Sequence, residues 1–390
     1  MRTSSAALRS IAQKMMMNET PRELLGSRLE ALRDLKGLTQ QELSEAAGVS
    51  QGFLSRVQNG TRALPESLAL DLCQAYSVPM SFFEAPEGVT DAGQFTFRKK
   101  AKASARDERR VKRLYSEAAR LFHAISETSE FHTSGLPDPA EYNGDPEECA
   151  EALRRSAGLG PEDPVKNVTR LLERHGVGVI SDLDETFLAV SDHVGVSRPN
   201  AATDRPLVAL TSKLPGAVQR LTLGHEAAHW IFDRDLRSPL GSTRSPEEAR
   251  AFRFGGALLL PERVVRKRVT ESLSLHGYLR IKADYGISVG AIARRAKDVG
   301  VISSARYRSL SIQLSSQGWR KNEPVEVTQE SPRLFRQALE QVYGRHYVSR
   351  ASDEYGIEPV LIQRWLGPTP HPRPGESTDS GNVVSVTFGR

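Results

Sequence analysis

Cysteine is scarce in this 390-residue chain, where Cys73 and Cys149 are the only two. Two cysteines so far apart exclude a disulfide-stapled scaffold and a cysteine-ligated zinc site, and both read as reduced, structural thiols. Long apolar runs are missing as well. No stretch of about 18 apolar residues occurs, which excludes a membrane-spanning helix, and Met1 to Thr20 lacks the apolar block of a secretory signal. A cytoplasmic protein with no membrane partner is expected. Nor is there a large excess of one charge: 53 Lys and Arg oppose 48 Asp and Glu, for a net charge of +5. Such a balance permits a polyanionic partner without pointing to one. No internal repeat is evident.

At this length two or three domains are expected. Residues 1–24, without a stable period, read as a flexible leader. From Leu25 to Phe83 apolar residues recur at helical spacing, and Gly37, Gly48, Gly60 and Pro65 cut the pattern into short helices, which predicts an all-α unit over 25–87. Gly88 to Gly93 reads as a linker. Phe97-Arg98-Lys99-Lys100 and then Ala103 to Phe131 read as one amphipathic helix with a basic start, within a segment 94–134 that would serve as a spacer or a dimerisation arm. Pro, Gly, Asp and Asn dominate Gly135 to Pro146 and mark a second boundary. Over 145–265, helices at Glu147 to Ser156 and Val165 to His175 mix with strand-like Gly176 to Ile180, Phe187 to Val190 and Pro206 to Thr211. A helical extension (266–322), a C-terminal helical segment (332–366) and a Pro/Gly/Ser-rich disordered tail (367–390) complete the chain. The expected fold is therefore multidomain and mainly α, with one α+β domain that carries a small sheet.

Within the first unit, Thr39 is placed to cap a helix with Glu42 closing a capping box, Gly48 to make a turn, and Ser50 to cap the next helix. Leu43, Ala46, Val49, Leu54 and Val57 would hold the two helices at a steep angle. The second helix would then turn Gln51, Gly52, Ser55, Arg56 and Gln58 outward. Gln and Ser suit base edges, whereas Gln40, Arg56, Asn59 and Arg62 suit phosphates and register. This pattern resembles the Cro/repressor-type (XRE) helix-turn-helix family. The resemblance implies double-stranded DNA as a partner, and because one copy reads one half-site, a homodimer on a palindromic operator.

Leu214 to Phe232 returns to helical period and contains His225-Glu226-Ala227-Ala228-His229. Histidines four residues apart on a helix face the same side and can grip one Zn²⁺, while the intervening Glu226 takes a proton from water during hydrolysis. Leu221, Leu223, Ala227, Ala228, Trp230, Ile231 and Phe232 supply a dry setting. A catalytic zinc needs a third protein ligand, and Glu247 and Glu248 both stand where Ser245-Pro246 signals the start of the next helix.

Here the chain resembles the ImmA/IrrE metallopeptidases over about residues 160–265. Their zinc helix is followed by Glu-x-x-Ala-x-x-Phe-x-x-x-Leu-Leu-x-Pro, against Glu248-Ala249-Arg250-Ala251-Phe252-Arg253-Phe254-Gly255-Gly256-Ala257-Leu258-Leu259-Leu260-Pro261 in this chain. That register selects Glu248 as the third ligand. Arg220 matches a further family position, and Lys282 to Ala296 and Gly318-Trp319-Arg320 resemble the helical extension. Ala228 replaces a common Gly, and Phe252 and Gly255 replace commoner polar and Ala residues. The resemblance implies a zincin-like domain, a Zn²⁺ cofactor and a protein substrate, a helix-turn-helix repressor being the family's known target.

Three functions follow from these residues. One is a DNA-binding regulator whose zinc domain cleaves a repressor or the regulator itself. Another is a transcription factor whose zinc domain only senses a ligand or partner. The third is a plain metalloprotease whose helical module binds protein. His175, His193 and His276 have no spacing that gives them a role in the chemistry. Ala351 to Leu366 again shows helix, glycine turn and helix, suggesting a second helix-turn-helix-like element.

Overall fold

A computed structural model of the chain describes residues 23–86, 91–96, 104–184, 195–238, 240 and 245–368. The leader before Glu23, the run Arg98-Lys99-Lys100, the strand expected at Phe187 to Val190, His193 and the tail beyond residue 368 lie outside the described residues.

The N-terminal unit is built from short helices, two of which open on side-chain caps. Helix α1 (Arg28–Lys36) closes at Gly37, and α2 (Gln40–Ala46) opens on the Thr39–Glu42 capping box. Helix α3 (Gln51–Gln58) opens on Ser50, whose hydroxyl accepts from the Phe53 N–H, and α4 (Glu66–Tyr76) follows Pro65. A 3₁₀ turn at Met80–Glu84 brings Phe82 and Phe83 onto Leu29, Leu32, Leu43, Leu54 and Leu72. One expected core contact fails. Ala46 is exposed, and Ala47 packs against the core in its place, because the buried face of α2 runs through Leu43 and Ser44 and returns one turn later at 47.

Helix α5 (Ala105–Thr128) does not stand apart as a spacer or arm. It buries Val111, Leu114, Tyr115, Ala118, Leu121, Phe122 and Ile125 at helical spacing within its own chain. Arg28 of α1 donates to Glu117 at 2.7 Å, Arg120 donates to the same carboxylate at 2.6 Å, and the Tyr115 hydroxyl donates to the Leu207 carbonyl at 2.7 Å. Burial would raise the Glu117 pKa, but the two guanidiniums outweigh it and hold it at about 2.

Helices α6 (Pro146–Ser156) and α7 (Val168–Arg174) lead into a sheet of β1 (Gly178–Ile180), β2 (Gly195–Ser197) and β3 (Leu207–Leu210). The order is β1-β3-β2, with β1 parallel and β2 antiparallel to β3, so β2 is an edge strand. The sheet is a party wall between two cores. Leu207 and Ala209 face the helix-turn-helix side with Ile180 and Val196, whereas Val208 and Leu210 face the other side with Val179.

On that other side lie α8 (Gly216–Phe232) and α9 (Pro246–Leu259), followed by α10 (Glu262–Arg268), α11 (Leu275–Tyr285), α12 (Val289–Asp298) and α13 (Ser304–Ser316). Helix α8 starts after Pro215 rather than at Leu214, because a residue preceding proline is pushed out of helical geometry. The helical segment expected over Pro332 to Trp365 is three helices, α14 (Leu334–Tyr343), α15 (Tyr347–Tyr355) and α16 (Pro359–Trp365), the last two lying either side of the expected glycine turn at Gly356. They return to the N-terminal side of the wall: Glu358 pairs with Lys36 at 2.8 Å, Arg120 donates to the Tyr355 carbonyl, and Trp365 is fully buried. No helix of the described residues is long and apolar enough to cross a membrane.

Candidate metal centre and recognition helix

Helix α8 is apolar nearly all round, as a helix sandwiched between a sheet and a second helix must be. Its buried polar residues are therefore informative: Gln219 and Arg220 in the first turns, and His225, Glu226 and His229 further along. Helix α9 opens on Ser245, whose hydroxyl accepts from the Glu248 N–H, and this start delivers the buried Glu248 carboxylate to the two histidines. The helices can cross this closely because Gly224 and Gly255 meet. A methyl group added to Gly255 would lie 3.1 Å from the His225 backbone nitrogen. Phe252 is half exposed and sets its ring 4.4 Å from the His225 imidazole, closing one flank. Phe252 and Gly255, two of the three departures from the expected sequence pattern, thus have packing roles.

The three side chains converge. His225 Nε2 and His229 Nε2 are 3.2 Å apart, and each is 3.5 Å from a Glu248 oxygen. Ligands held about 2.0–2.1 Å from one tetrahedral zinc stand roughly 3.3 Å from each other; two imidazole nitrogens and a carboxylate that turns Oε2 to His225 and Oε1 to His229 are the kind of donors zinc takes, at close to that spacing. Among the described residues, His225, His229 and Glu248 form the group able to hold a metal ion. His229 Nδ1 donates to Asp233 Oδ2 at 2.6 Å, which leaves Nε2 as the ligating atom, and Arg250 holds the other Asp233 oxygen. Burial alone would lower the His229 pKa, but bonds to Asp233 and Glu248 and the nearby Glu226 raise it to about 9.

Glu226 reaches the sheet edge. Its Oε2 accepts from the Ser197 hydroxyl at 2.7 Å and from the Thr96 hydroxyl at 2.8 Å. Burial pushes its pKa up, opposed by His229 and by those two hydroxyls. Sequence reasoning missed Thr96, Ser197 and Asp233. Asp233 could have been found, since it lies four residues after His229 on the same helical face. Thr96 lies 130 positions from Glu226 and carries no local signal.

Arg220 is a structural clamp, bonded to Glu330 and to the carbonyls of Lys166, Val165 and Tyr285. His175 binds the Leu171 carbonyl and Ser156, and His276 stacks edge-on against Trp319, so neither joins the centre.

On the opposite side of the wall, α3 exposes Gln51, Gly52, Ser55 and Arg56, and Asn59 is exposed just beyond. Arg62 is exposed with its guanidinium stacked over Phe53 at 4.3 Å. Gln58 departs from its expected outward placement. It is half buried and accepts from Gln40 Nε2 at 3.1 Å, while Gln40 accepts from Arg33 at 3.2 Å. At the end of α3 the helix turns toward α2, and this polar chain fixes the angle between them.

A family model described as a helix-turn-helix domain matches residues 24–81, and a metallopeptidase model described as the IrrE N-terminal-like domain matches residues 172–297, which include all four residues of the centre. Two strains of Mycobacterium tuberculosis carry a "Transcriptional regulator ClgR" that is 32% identical over 84 residues, 22% of this chain and 70% of that protein. An "Uncharacterized HTH-type transcriptional regulator y4dJ" of Sinorhizobium fredii is 36% identical over 72 residues, 18% of this chain and 94% of that protein. No solved structure matches the chain. By these matches, the chain belongs to the helix-turn-helix transcriptional regulators of XRE-like type, and it carries an IrrE-like domain behind its DNA-binding unit.

Proposed function

We propose that the IrrE-like domain is a zinc-dependent endopeptidase acting on a repressor protein or on the regulator itself, and that the helix-turn-helix unit binds a palindromic operator as a homodimer. The observation that carries the peptidase reading is the convergence of His225, His229 and Glu248 at 3.2–3.5 Å with Glu226 on the same helix. His225 Nε2, His229 Nε2 and a Glu248 oxygen would hold the ion. When bound, zinc supplies Lewis acidity to a scissile carbonyl and acidifies an attacking water. Glu226 takes the proton of that water at Oε1 and returns it to the leaving amine. Ser197, bonded to Oε2, keeps the carboxylate aimed. Asp233 fixes the His229 tautomer, and the apolar flank of α8 excludes bulk water.

For DNA, Gln51, Gly52 and Ser55 are the base-edge candidates, and Arg56, Asn59 and Arg62 serve phosphates. Gln40 and Gln58 act chiefly by bracing α3, through the bond between them. The test begins with metal analysis of the purified chain and of His229→Ala. One equivalent of zinc that disappears in the variant supports the site. Cleavage of candidate repressors by the wild-type chain but not by Glu226→Gln then supports the peptidase. Zinc binding with no Glu226-dependent cleavage of any candidate would instead leave a metal-dependent sensor.

A further inference from the structure

A peptidase that takes an extended chain needs a free strand edge beside its catalytic carboxylate, since added strands bind through main-chain hydrogen bonds. The outer edge of β2 is the edge nearest Glu226, and it is not free. We infer that residues 91–96 of this same chain occupy the substrate strand, so that the regulator closes its own site; the inference rests on the peptidase reading above.

Asp91, Gly93, Phe95 and Thr96 make the contacts, with one main-chain hydrogen bond to the strand edge at Thr96. The Thr96 N–H donates to the Ser197 carbonyl at 3.0 Å, and the Ser197 N–H donates to the Thr96 hydroxyl oxygen at 2.9 Å. That hydroxyl also donates to Glu226 Oε2, so the segment reaches the group assigned to proton transfer. Phe95 lies edge-on to Tyr115 with ring centroids 5.7 Å apart, and the Arg198 guanidinium covers its face at 4.7 Å. Arg198 also donates to the Gly93 carbonyl and to Asp91, each at 3.2 Å. Gly93 has a φ of +86°, and a methyl group there would sit 2.3 Å from the Pro199 carbonyl oxygen. The groove therefore accepts a residue without a side chain, an aromatic two positions later and a hydroxyl after that. Edge strands left open recruit other chains, and here the chain supplies its own cover.

The occupant is also the stretch that joins the helix-turn-helix unit to α5. Withdrawing Thr96 from Ser197 and Glu226 would open the edge. Another chain then enters only after displacing residues 91–96, and the best entrants share the Gly-x-aromatic-Thr chemistry.

Gly93→Leu and Phe95→Ala both damage the occupant and leave the groove intact, so the two variants guard against a single misfolded protein. Full-length wild type and variants are compared by hydrogen exchange over residues 195–198 and by binding of a labelled peptide Asp-Ala-Gly-Gln-Phe-Thr, the sequence of residues 91–96. The expected result is exchange at Ser197 at least tenfold faster in both variants, with the peptide binding at least tenfold more tightly to them than to wild type. Unchanged exchange and equal peptide binding in a folded variant would overturn the inference. Zinc content is measured in the same samples: zinc retained with unchanged exchange defeats the occupancy alone, whereas zinc absent from all three defeats the peptidase reading while exchange still decides the strand.

Discussion

Helix α3 and the metal centre both rest on apolar cores, yet they display their polar side chains oppositely. Gln51, Gly52, Ser55 and Arg56 lie on one exposed helix face within a few residues of each other. His225, Glu226, His229 and Glu248 are buried, and they are held by Asp233 at the end of α8 and by Ser197 and Thr96 from two distant places in the chain. An exposed contact is solvated before its partner arrives, so its loss is local and graded. A buried polar group is satisfied only by its neighbours, so its loss propagates through them.

Four experiments can break or sharpen that contrast. The largest effect is expected for Glu226→Gln, which keeps shape and removes the proton acceptor. Cleavage measured on a candidate repressor should fall roughly 10²–10⁴-fold, and operator affinity in a gel-shift titration should not change. A parallel loss of DNA binding would show that the two regions are not separable.

Next is Glu117→Gln, which strikes the joint between α1 and α5. Removing one member of a buried ion pair costs roughly 3–5 kcal/mol, read from urea unfolding. The sign with pH follows from the pKa held at about 2 against a usual 4.5. The stabilisation is complete above about pH 4.5 and is lost as pH falls toward 2. Wild type should therefore lose stability across that window, and the variant should lose less.

Asp233→Asn tests the support behind the metal. It should weaken zinc binding about 10–100-fold in a competitive chelator titration without removing a ligand. An affinity equal to wild type would mean that the His229 tautomer needs no help.

Arg56→Ala should have the smallest effect. Its thermal midpoint should equal wild type, and the slope of log affinity against log salt should fall by about 1 if Arg56 meets a phosphate. An unchanged slope would move the phosphate contact elsewhere.

What was legible in the sequence divides along the same line. Capping at Thr39 and Ser50, the helix start at Ser245-Pro246 and the pairing of His225 with His229 all depend on local spacing, and each is found in the structure. The burial of α5 was not legible, because an amphipathic stripe states that a helix needs a partner and not which one. Nor was the short strand Gly195–Ser197, whose three residues carry no period. Thr96 illustrates the deeper limit. Its role arises from a sheet edge brought to it by folding, and no local pattern encodes that meeting.

The four residues Leu207–Leu210 carry a consequence for how such a chain can change. Because side chains alternate across β3, inserting or deleting one residue ahead of it would hand Leu207 and Ala209 to the metal-side core and Val208 and Leu210 to the DNA-side core. Neither half can absorb a length change there alone. The two modules share one strand, and substitutions in it that reshape either core must remain acceptable to the other.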